Sequence, residues 1–248
     1  MAKAIFDFVF ALVLFAFTFP LMLLLAGLVR LTSSGPALYS QLRVGRGGRP
    51  FWIYKFRTMR HNCEKGSGAQ WSRPGDSRIT AVGRFLRASH LDELPQLINV
   101  LLGQMSLVGP RPERPEFTPG LSKVIPNYDR RMLVRPGVTG LAQVQLPPDS
   151  DLDSVRKKLQ YDLWYVERGD LWLDLRLIIC TAMKVVFLPM PLCCQFLRVP
   201  GSGIVERFQA SVHVPLAPSM TESVVNDAQP QAPVEEKRKS KLILEVAR

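Results

Sequence analysis

The sequence has little of what builds a transition-metal site or a disulfide framework. Its 248 residues include four cysteines, none of them in a CxxC pair, and three scattered histidines. Because zinc sites use closely spaced cysteine and histidine ligands, a zinc site is not expected. Cys193 and Cys194 are neighbours in an apolar stretch, which favours buried thiols in a reducing compartment.

The net excess of 11 positive charges is unevenly distributed along the chain. Residues 199–248 contain six Lys and Arg and six Asp and Glu, so the whole excess falls in residues 1–198. A basic body of this kind favours a partner with dense negative charge, such as anionic lipid, nucleic acid or a phosphorylated substrate. Nucleic acid is disfavoured, because no known nucleic-acid motif or aromatic stacking platform accompanies the basic residues. A basic surface that only maintains solubility is the alternative.

Charge is missing altogether from one long run, Phe8 to Val29, which is 22 residues long. As a helix this run would be about 33 Å long, enough for a membrane segment. Lys3 is the only cation that precedes the run, and no small-residue cleavage site follows it, which disfavours a secretory signal peptide. Pro20, near its middle, removes a helix hydrogen bond and bends the helix. A bent helix can enter and leave the same leaflet and a straighter one would span, so both topologies stay open.

A β-hairpin is predicted next. Ala37 to Val44 and Phe51 to Thr58 flank the turn-forming sequence Gly45-Arg46-Gly47-Gly48. Period-two alternation places Lys55 and Arg57 on one face of the second strand. Two cations side by side would form a phosphate clamp. Solvated edge charges that discourage strand addition are the alternative.

Two adjacent carboxylates, Asp92 and Glu93, are expected at the start of a helix. An apolar stripe at helical spacing follows and should be buried: Leu94, Leu97, Ile98 and Leu101. Asp92, Gln96 and Asn99 have the same helical spacing and share another face, so the Asp92 side chain is expected to point away from the core. Ser89 and Asp92 have the spacing of a capping pair. Acidic residues favour the first turn of any helix, so capping alone is the structural alternative to chemistry.

Three arginines stand beside turns or helix ends. Arg87 lies in a predicted helix from about Ala81 to Ala88, five residues before Asp92. Arg111 is held between two prolines, and Arg135 precedes a Pro-Gly turn. Guanidinium groups bind phosphate oxygens bidentately, which makes these side chains candidate phosphate ligands. Charge neutralisation between Arg87 and the carboxylates is the structural alternative.

The second half of the chain predicts two further helices, Leu152 to Glu167 and Leu171 to Phe187. Asp162 lies on the first of these helices and Asp174 on the second. An acidic residue in such a place is more often a helix-surface residue than a ligand. Beyond the second helix the sequence stays apolar as far as Phe196, which favours a membrane interface or packing beneath the site.

Two segments are predicted to lack regular structure. Asn62 to Asp76 is rich in glycine, serine and charge and is expected to form a mobile loop over the site. From about Pro200 prolines and polar residues replace the apolar pattern, so residues 199–248 are expected to be a disordered tail.

Four segments occur in a fixed order along the chain: Lys55-Phe56-Arg57-Thr58-Met59, Leu91-Asp92-Glu93-Leu94-Pro95-Gln96-Leu97, Ser106-Leu107-Val108-Gly109-Pro110-Arg111-Pro112 and Arg135-Pro136-Gly137-Val138-Thr139-Gly140. Together they closely resemble the bacterial sugar transferases, the monotopic phosphoglycosyl transferases that initiate exopolysaccharide, O-antigen and related glycan assembly. The resemblance covers roughly residues 4 to 187, and several ordered motifs make it specific. The family has a helix-breaking Ser-Pro in its membrane helix, where this chain has Phe19-Pro20.

The resemblance implies a mainly helical α+β fold. Its parts would be a membrane-embedded N-terminal helix kinked at Pro20, a small β-hairpin, and helices packed at the membrane interface. The expected organisation is a membrane helix in residues 1–31, re-entrant rather than spanning, a cytoplasmic catalytic domain in residues 32–198, and the tail. One membrane element before the motifs is typical of the small family members. The implied location is the cytoplasmic face of the bacterial inner membrane, in contact with its lipid, and self-association is left open.

The resemblance also implies a reaction, the transfer of a sugar-1-phosphate from a UDP-sugar to polyprenyl phosphate with release of UMP. By match to the family's acidic pair, Asp92 would be the nucleophile, and Glu93 a metal or proton-managing partner. The diphosphate needs a divalent cation, so Mg²⁺ held by Asp92 and Glu93 is expected. The expected phosphate- and substrate-binding residues are Lys55, Arg57, Arg87, Arg111, Arg135, Asp162 and Asp174.

Two rival functions belong to other classes. The first is a glycosyltransferase that moves only the sugar and releases a nucleoside diphosphate. The second is a non-enzymatic membrane scaffold with a decayed site. The presence of Asp92, Glu93 and Arg111 argues against decay.

Overall fold

The computed structural model describes residues 2–63, 75–149, 151–185 and 188–212. Within these ranges the chain forms nine α-helices and two two-stranded sheets. In chain order the elements are α1 (Ala2–Thr32), β1 (Leu38–Val44), β2 (Pro50–Phe56), α2 (Ala81–Ala88), α3 (Gln96–Leu101), β3 (Ser106–Val108), α4 (Thr118–Val124), β4 (Gly137–Thr139), α5 (Leu141–Gln145), α6 (Leu152–Arg168), α7 (Leu171–Val185), α8 (Met190–Phe196) and α9 (Ser202–Val212). The prediction of a mainly helical α+β fold with a small hairpin is confirmed.

Strands β1 and β2 pair antiparallel, with Leu38 opposite Phe56 and Val44 opposite Pro50. The turn between them needs glycine, because Gly47 and Gly48 have φ values of +65° and +76°. The hairpin is held to α3 by the side-chain amide of Asn99. Its oxygen accepts a hydrogen bond from the Tyr54 amide at 3.1 Å, and its nitrogen donates to the Trp52 carbonyl at 2.7 Å.

Strands β3 and β4 are parallel and are brought together by two glycines. Ser106 pairs with Gly137, and the Gly109 amide donates to the Thr139 carbonyl at 2.9 Å. A Cβ added to Gly137 would collide with the Gly109 amide nitrogen, and one added to Gly109 would collide with the Arg135 carbonyl. Two motif segments that lie far apart in sequence therefore meet backbone to backbone, immediately before Arg111.

Helix α1 is one continuous helix through Pro20 and is apolar enough to enter a membrane. A narrow stripe packs against the rest of the protein: Ala11, Met22, Leu25 and Val29. Most of the remaining surface is exposed and apolar, including Phe17 at 85% and Leu31 at 88%. An apolar surface of this extent is expected to contact lipid.

Both ends of α1 are bonded to the body of the protein. Near its start, the Lys3 ammonium lies 2.6 Å from the Asp174 carboxylate of α7, and the Asp7 carboxylate accepts from the Leu107 amide at 3.2 Å. At its end, the Arg57 guanidinium donates to the Ser33 carbonyl at 2.7 Å. The apolar helix α1 is therefore attached to the rest of the fold near both of its ends.

The predicted helix α2 is confirmed, as are α6 and α7, which end at Arg168 and Val185. The predicted disordered tail is wrong for Ser202–Val212, which forms α9. The reason is a short apolar stripe that the prolines and polar residues around it obscured. Val205 is fully buried in the main core, and the Phe208 ring lies under the Arg168 guanidinium. Residues 213–248 of the predicted tail and residues 64–74 of the predicted mobile loop lie outside the described residues.

Candidate active site

Asp92 and Glu93 lie in a single turn of 3-10 helix, Leu91–Glu93, between α2 and α3. The preceding residue, His90, has a left-handed backbone with φ of +56°, which turns the chain sharply after α2. The expected capping role of Ser89 is wrong, because its hydroxyl donates back to the Phe85 carbonyl at 2.9 Å and so belongs to the end of α2. The two carboxylates are therefore presented on a corner rather than in a regular helix.

The expectation that Asp92 points away from the core is also wrong, because only 8% of its surface is exposed. The helical spacing that linked it to Gln96 and Asn99 does not apply across the corner. Gln96 and Asn99 are themselves buried. In the predicted apolar stripe Leu97 is buried, and the others are half-buried: Leu94, Ile98 and Leu101. Helix α3 is thus enclosed on more than its apolar side.

The Glu93 carboxylate is shared by two cations from distant parts of the chain. Lys55, near the end of β2, donates to Oε1 at 2.7 Å. Arg111, which follows β3, donates from Nη2 to Oε1 at 2.7 Å and from Nη1 to Oε2 at 3.4 Å. The Lys55 and Glu93 side chains are largely removed from water, whereas 39% of the Arg111 side chain stays exposed. Hydrogen bonds between charged groups are strong in such surroundings, so this arrangement is expected to be rigid.

The pKa values of the two carboxyl groups shift in opposite directions. Burial would raise the pKa of Glu93, but Arg111 and Lys55 outweigh it and hold that pKa well below its usual value. For Asp92, burial and the negative charge of Glu93 raise the pKa to about 6, against the opposing charges of Lys55, Arg111 and Arg87. Within the described residues the Asp92 carboxylate has no hydrogen bond or ion pair. Glu93 is thus held as a fixed anion, whereas the Asp92 oxygens stay available within the described residues.

Arg87 lies close to this pair. Its Nε donates to the Thr58 hydroxyl at 2.8 Å, which fixes the guanidinium beside the end of β2. Burial lowers the pKa of Arg87, and the charge of Asp92 raises it. The structure therefore brings together five of the predicted site residues: Lys55, Arg87, Asp92, Glu93 and Arg111.

Two predicted phosphate ligands lie elsewhere. Arg57 is buried, and its Nη2 donates to the Ser33 carbonyl and hydroxyl at 2.7 and 2.8 Å. The predicted clamp of Lys55 and Arg57 is therefore wrong. Strand β2 ends at Phe56, and the Arg57 side chain turns toward the Val29 and Ser33 carbonyl groups at the end of α1. Arg135 is placed near Gly103, beyond the C-terminal end of α3, whereas Asp92 and Glu93 precede its N-terminal end.

Asp162 lies behind the site rather than in it. Its carboxylate is 2.7 Å from Nη2 of Arg131, and both side chains are buried. The same guanidinium donates to the Arg111 carbonyl at 2.9 Å and to the Tyr128 hydroxyl at 2.8 Å. Burial raises the pKa of Asp162 to about 6, and Arg131 opposes that rise. The prediction of Asp162 as a substrate ligand is corrected: it orients the arginine that supports the backbone of Arg111.

Asp174 is likewise a structural acid. It is almost fully buried, accepts a hydrogen bond from the Tyr165 hydroxyl at 2.6 Å and pairs with Lys3 at the same distance. The Tyr165 hydroxyl also lies 3.0 Å from the Val108 carbonyl at the end of β3. Asp174 thus joins α1, α6, α7 and β3 and does not face the cluster around Glu93.

Two residues near the site were not predicted. Lys184, in the last turn of α7, and His90 are both half-buried. Burial, followed by the positive charge of Lys184, lowers the pKa of His90 and favours its neutral form. A lone lysine in an apolar helix carries no motif, so the only available signal was the rarity of charge in that part of the sequence.

The donor set has limited capacity for a metal. Among the described residues there is no group of three or more histidines, cysteines or carboxylates that could hold one. Both oxygens of Glu93 are occupied by Arg111 and Lys55, so only Asp92 offers free oxygens. Mg²⁺ in phosphoryl-transfer sites typically uses one or two carboxylates together with substrate phosphates. The site therefore fits a cation that arrives with a diphosphate, with Asp92 rather than Glu93 as its ligand.

The sequence matches a family model described as bacterial sugar transferase over residues 1–188. It is 44% identical over 187 residues to the UDP-glucose:undecaprenyl-phosphate glucose-1-phosphate transferase of Xanthomonas campestris pv. campestris, covering 75% of this chain and 39% of the relative. It is 46% identical over 167 residues to the UDP-N-acetylgalactosamine-undecaprenyl-phosphate N-acetylgalactosaminephosphotransferase of Aeromonas hydrophila, covering 67% of this chain and 39% of the relative. A UDP-glucose:undecaprenyl-phosphate glucose-1-phosphate transferase of Caulobacter vibrioides is 45% identical over 186 residues, covering 74% and 69%. The chain thus spans less than half the length of the first two relatives.

Replacing Asp162 by Asn tests its structural role. The substitution leaves the buried Arg131 without its counter-charge, so the free energy of unfolding should fall by about 3 kcal/mol. Asp153→Asn is the matched control, because the Asp153 side chain pairs with Arg156 while remaining 87% exposed, and it should change stability little. Denaturant unfolding of both variants in detergent measures the difference. Equally small effects would show that Asp162 is not needed to hold Arg131.

Proposed function

The chain belongs to the bacterial sugar transferase family, and we propose that it transfers a sugar-1-phosphate from a UDP-sugar to polyprenyl phosphate and releases UMP. The names of the relatives describe sugar-1-phosphate transfer to undecaprenyl phosphate. The reaction would be the first membrane step of an exopolysaccharide or O-antigen type of glycan assembly. The proposal includes a covalent phosphosugar on Asp92.

The environment of Asp92 is the observation that carries this mechanism. Its carboxylate has no partner in the described part of the chain, whereas the adjacent Glu93 is held by two cations. A carboxylate without hydrogen-bond donors is a better nucleophile than one whose lone pairs are occupied. Its pKa of about 6 leaves it mostly ionised at neutral pH.

The transfer divides into two displacements at the same phosphorus. An Asp92 oxygen attacks the phosphorus that carries the sugar, and the bond to the bridging oxygen breaks, so that UMP leaves with the electron pair. An oxygen of polyprenyl phosphate then attacks the acyl phosphate, frees the carboxylate and leaves a polyprenyl-diphosphate sugar. Both displacements leave the bond to the anomeric carbon intact.

The cations around Asp92 balance the charge of this reaction. Arg111 and Lys55 neutralise Glu93, and Arg87 adds a further positive charge beside Asp92. A doubly charged diphosphate can therefore approach two carboxylates without meeting net repulsion. Bound Mg²⁺ would add Lewis-acid stabilisation to the phosphate oxygens.

The placement of α1 supports a re-entrant membrane helix. Lys3 and Asp7 at one end and Ser33 just beyond the other all bond to the same folded body. A spanning helix would put its two ends on opposite sides of the bilayer and would break one of these sets of contacts. Because nucleotide sugars are cytoplasmic, the body and both ends of α1 would face the cytoplasm at the inner membrane.

If Asp92 is the nucleophile, UMP should be released in a burst that requires no lipid acceptor. Purified protein mixed with UDP-sugar and Mg²⁺ should release UMP in roughly stoichiometric amount, because the first displacement is complete in itself. Asp92→Asn should abolish both the burst and turnover, whereas the exposed Asp153→Asn should retain both. Release of UDP would identify the glycosyltransferase rival, and no nucleotide release with any UDP-sugar would favour a scaffold. A full burst in Asp92→Asn would refute the nucleophile assignment.

The rate of the burst should depend on pH through Asp92. Because burial and Glu93 raise the pKa of Asp92 to about 6, the reactive anion is lost as pH falls through that value. Below it, the rate should drop about tenfold per pH unit. Glu93→Gln removes the neighbouring negative charge and should move this acidic limb of the pH–rate profile to lower pH. Rapid-quench measurement of UMP between pH 5 and 8 checks both effects. A limb near pH 4 in the native protein would mean that Asp92 is well solvated or that bound Mg²⁺ holds it ionised, and repeating the measurement at several Mg²⁺ concentrations separates the two.

The topology predicts that both ends of α1 are accessible from one side. Cysteines are introduced one at a time at the exposed positions Ala4 and Ser34, in a protein with Cys63 replaced by Ser, so that the native cysteines left are buried. Each should react with a membrane-impermeant maleimide only in inverted inner-membrane vesicles. Intact cells, with the outer membrane permeabilised, should leave both unlabelled. Labelling of Ala4→Cys from the periplasm and of Ser34→Cys from the cytoplasm would establish a spanning helix.

A further inference from the structure

Lys184 is brought to the site by the packing of α7 against β4. Three residues before it, the Thr181 hydroxyl hydrogen-bonds with the Thr139 hydroxyl at 2.6 Å. Thr139 in turn accepts from the Gly109 amide, two residues before Arg111. Residues three apart on a helix share a face, so Lys184 lies on the side of α7 that faces the Arg111 corner.

The electrostatic surroundings of Lys184 agree with this position. Burial lowers its pKa, the Glu93 carboxylate raises it and the Arg111 guanidinium lowers it further. Lys184 therefore lies within electrostatic range of both members of the Glu93–Arg111 pair. In the described part of the chain its ammonium makes no hydrogen bond or ion pair. By contrast, Lys55 is bonded to Glu93, and Arg87 is bonded to Thr58.

Lys184 also stands at the boundary with an apolar surface. The Leu188 amide bonds to the Met183 carbonyl, so Leu188 is held against the end of α7. The exposed side chains Leu188, Leu192 and Phe196 follow, the last at 81% exposure. Lysines at such boundaries bury their methylene stem in apolar surroundings and extend the ammonium to a polar group. The position suits a phosphate whose hydrocarbon chain lies in the bilayer.

The two substrates of the proposed reaction differ in where they come from. The UDP-sugar is water-soluble, whereas the phosphate of the acceptor is joined to a membrane-embedded chain. A half-buried cation that is unpaired within the described residues, near Glu93 and beside the apolar surface, matches the second substrate. We propose that Lys184 binds the phosphate of the polyprenyl phosphate acceptor and so acts in the second displacement. This inference rests on the proposed function.

The test separates the two displacements. Lys184→Met keeps the unbranched stem of the side chain but removes the charged Nζ, and Lys184→Arg keeps the charge. Lys157→Met is the matched control, because Lys157 is exposed on α6. In nanodiscs of neutral lipid, the KM for polyprenyl phosphate should rise about tenfold in Lys184→Met and recover largely in Lys184→Arg, as expected for one charge-assisted hydrogen bond. The acceptor-free UMP burst should change by a much smaller factor.

Each outcome decides between alternatives. An unchanged acceptor KM in Lys184→Met, with a normal native protein, would refute the role of Lys184 alone. Equal losses in the burst and in the acceptor step would assign Lys184 to the UDP-sugar. A native protein that releases no UMP would defeat the proposed function itself. An effect seen only in nanodiscs of anionic lipid would mean that Lys184 binds bulk headgroups. If Lys184→Met does not fold, Lys184→Gln provides the same comparison.

Discussion

The shared Glu93 carboxylate is the interaction on which the rest of the site depends. Lys55 comes from a hairpin, Glu93 from a corner between helices, and Arg111 from the segment after a buried strand. Lys55 and Glu93 are mostly buried, and neither charge could be placed there alone, because an unpaired buried charge is strongly unfavourable. Pairing on one carboxylate satisfies two cations at once and fixes three elements. In the described part of the chain it leaves Asp92 as the acid without a partner, so neighbouring carboxylates have different surroundings.

Behind this pair, a second layer of charges holds the backbone. Asp162 fixes Arg131, which bonds to the Arg111 carbonyl. Asp174 gathers Tyr165 and Lys3, and the Tyr165 hydroxyl reaches the end of β3. These contacts determine where the Arg111 segment starts and how it turns. Asp162 and Asp174 can therefore influence the site through the residues that they position, without facing the cluster around Glu93 themselves.

The sequence predicted regular elements well because their patterns are local. The hairpin, α2, α6 and α7 follow from turn residues and apolar spacing, and the site pair followed from a resemblance carried by ordered motifs. It failed where partners are distant. Arg57 was assigned to phosphate because alternation in a strand cannot show that the strand ends one residue earlier. Asp92 was placed on a helix face because nothing local marks the left-handed His90. Lys184 was missed because its position near Glu93 and Arg111 arises only from the packing of α7 on β4.

The attachment of α1 at both ends has a consequence for handling the protein. A membrane helix is often treated as a removable anchor, to be cut away when a soluble catalytic fragment is wanted. Here such a deletion would remove the Lys3 ammonium that pairs with Asp174 and the Asp7 carboxylate that accepts from the Leu107 amide. It would also remove Ala11 from the main hydrophobic core. It would also remove the Val29 carbonyl that Arg57 approaches. The globular part and its lipid-facing helix thus form a single folding unit, whose purification depends on the quality of the membrane mimetic.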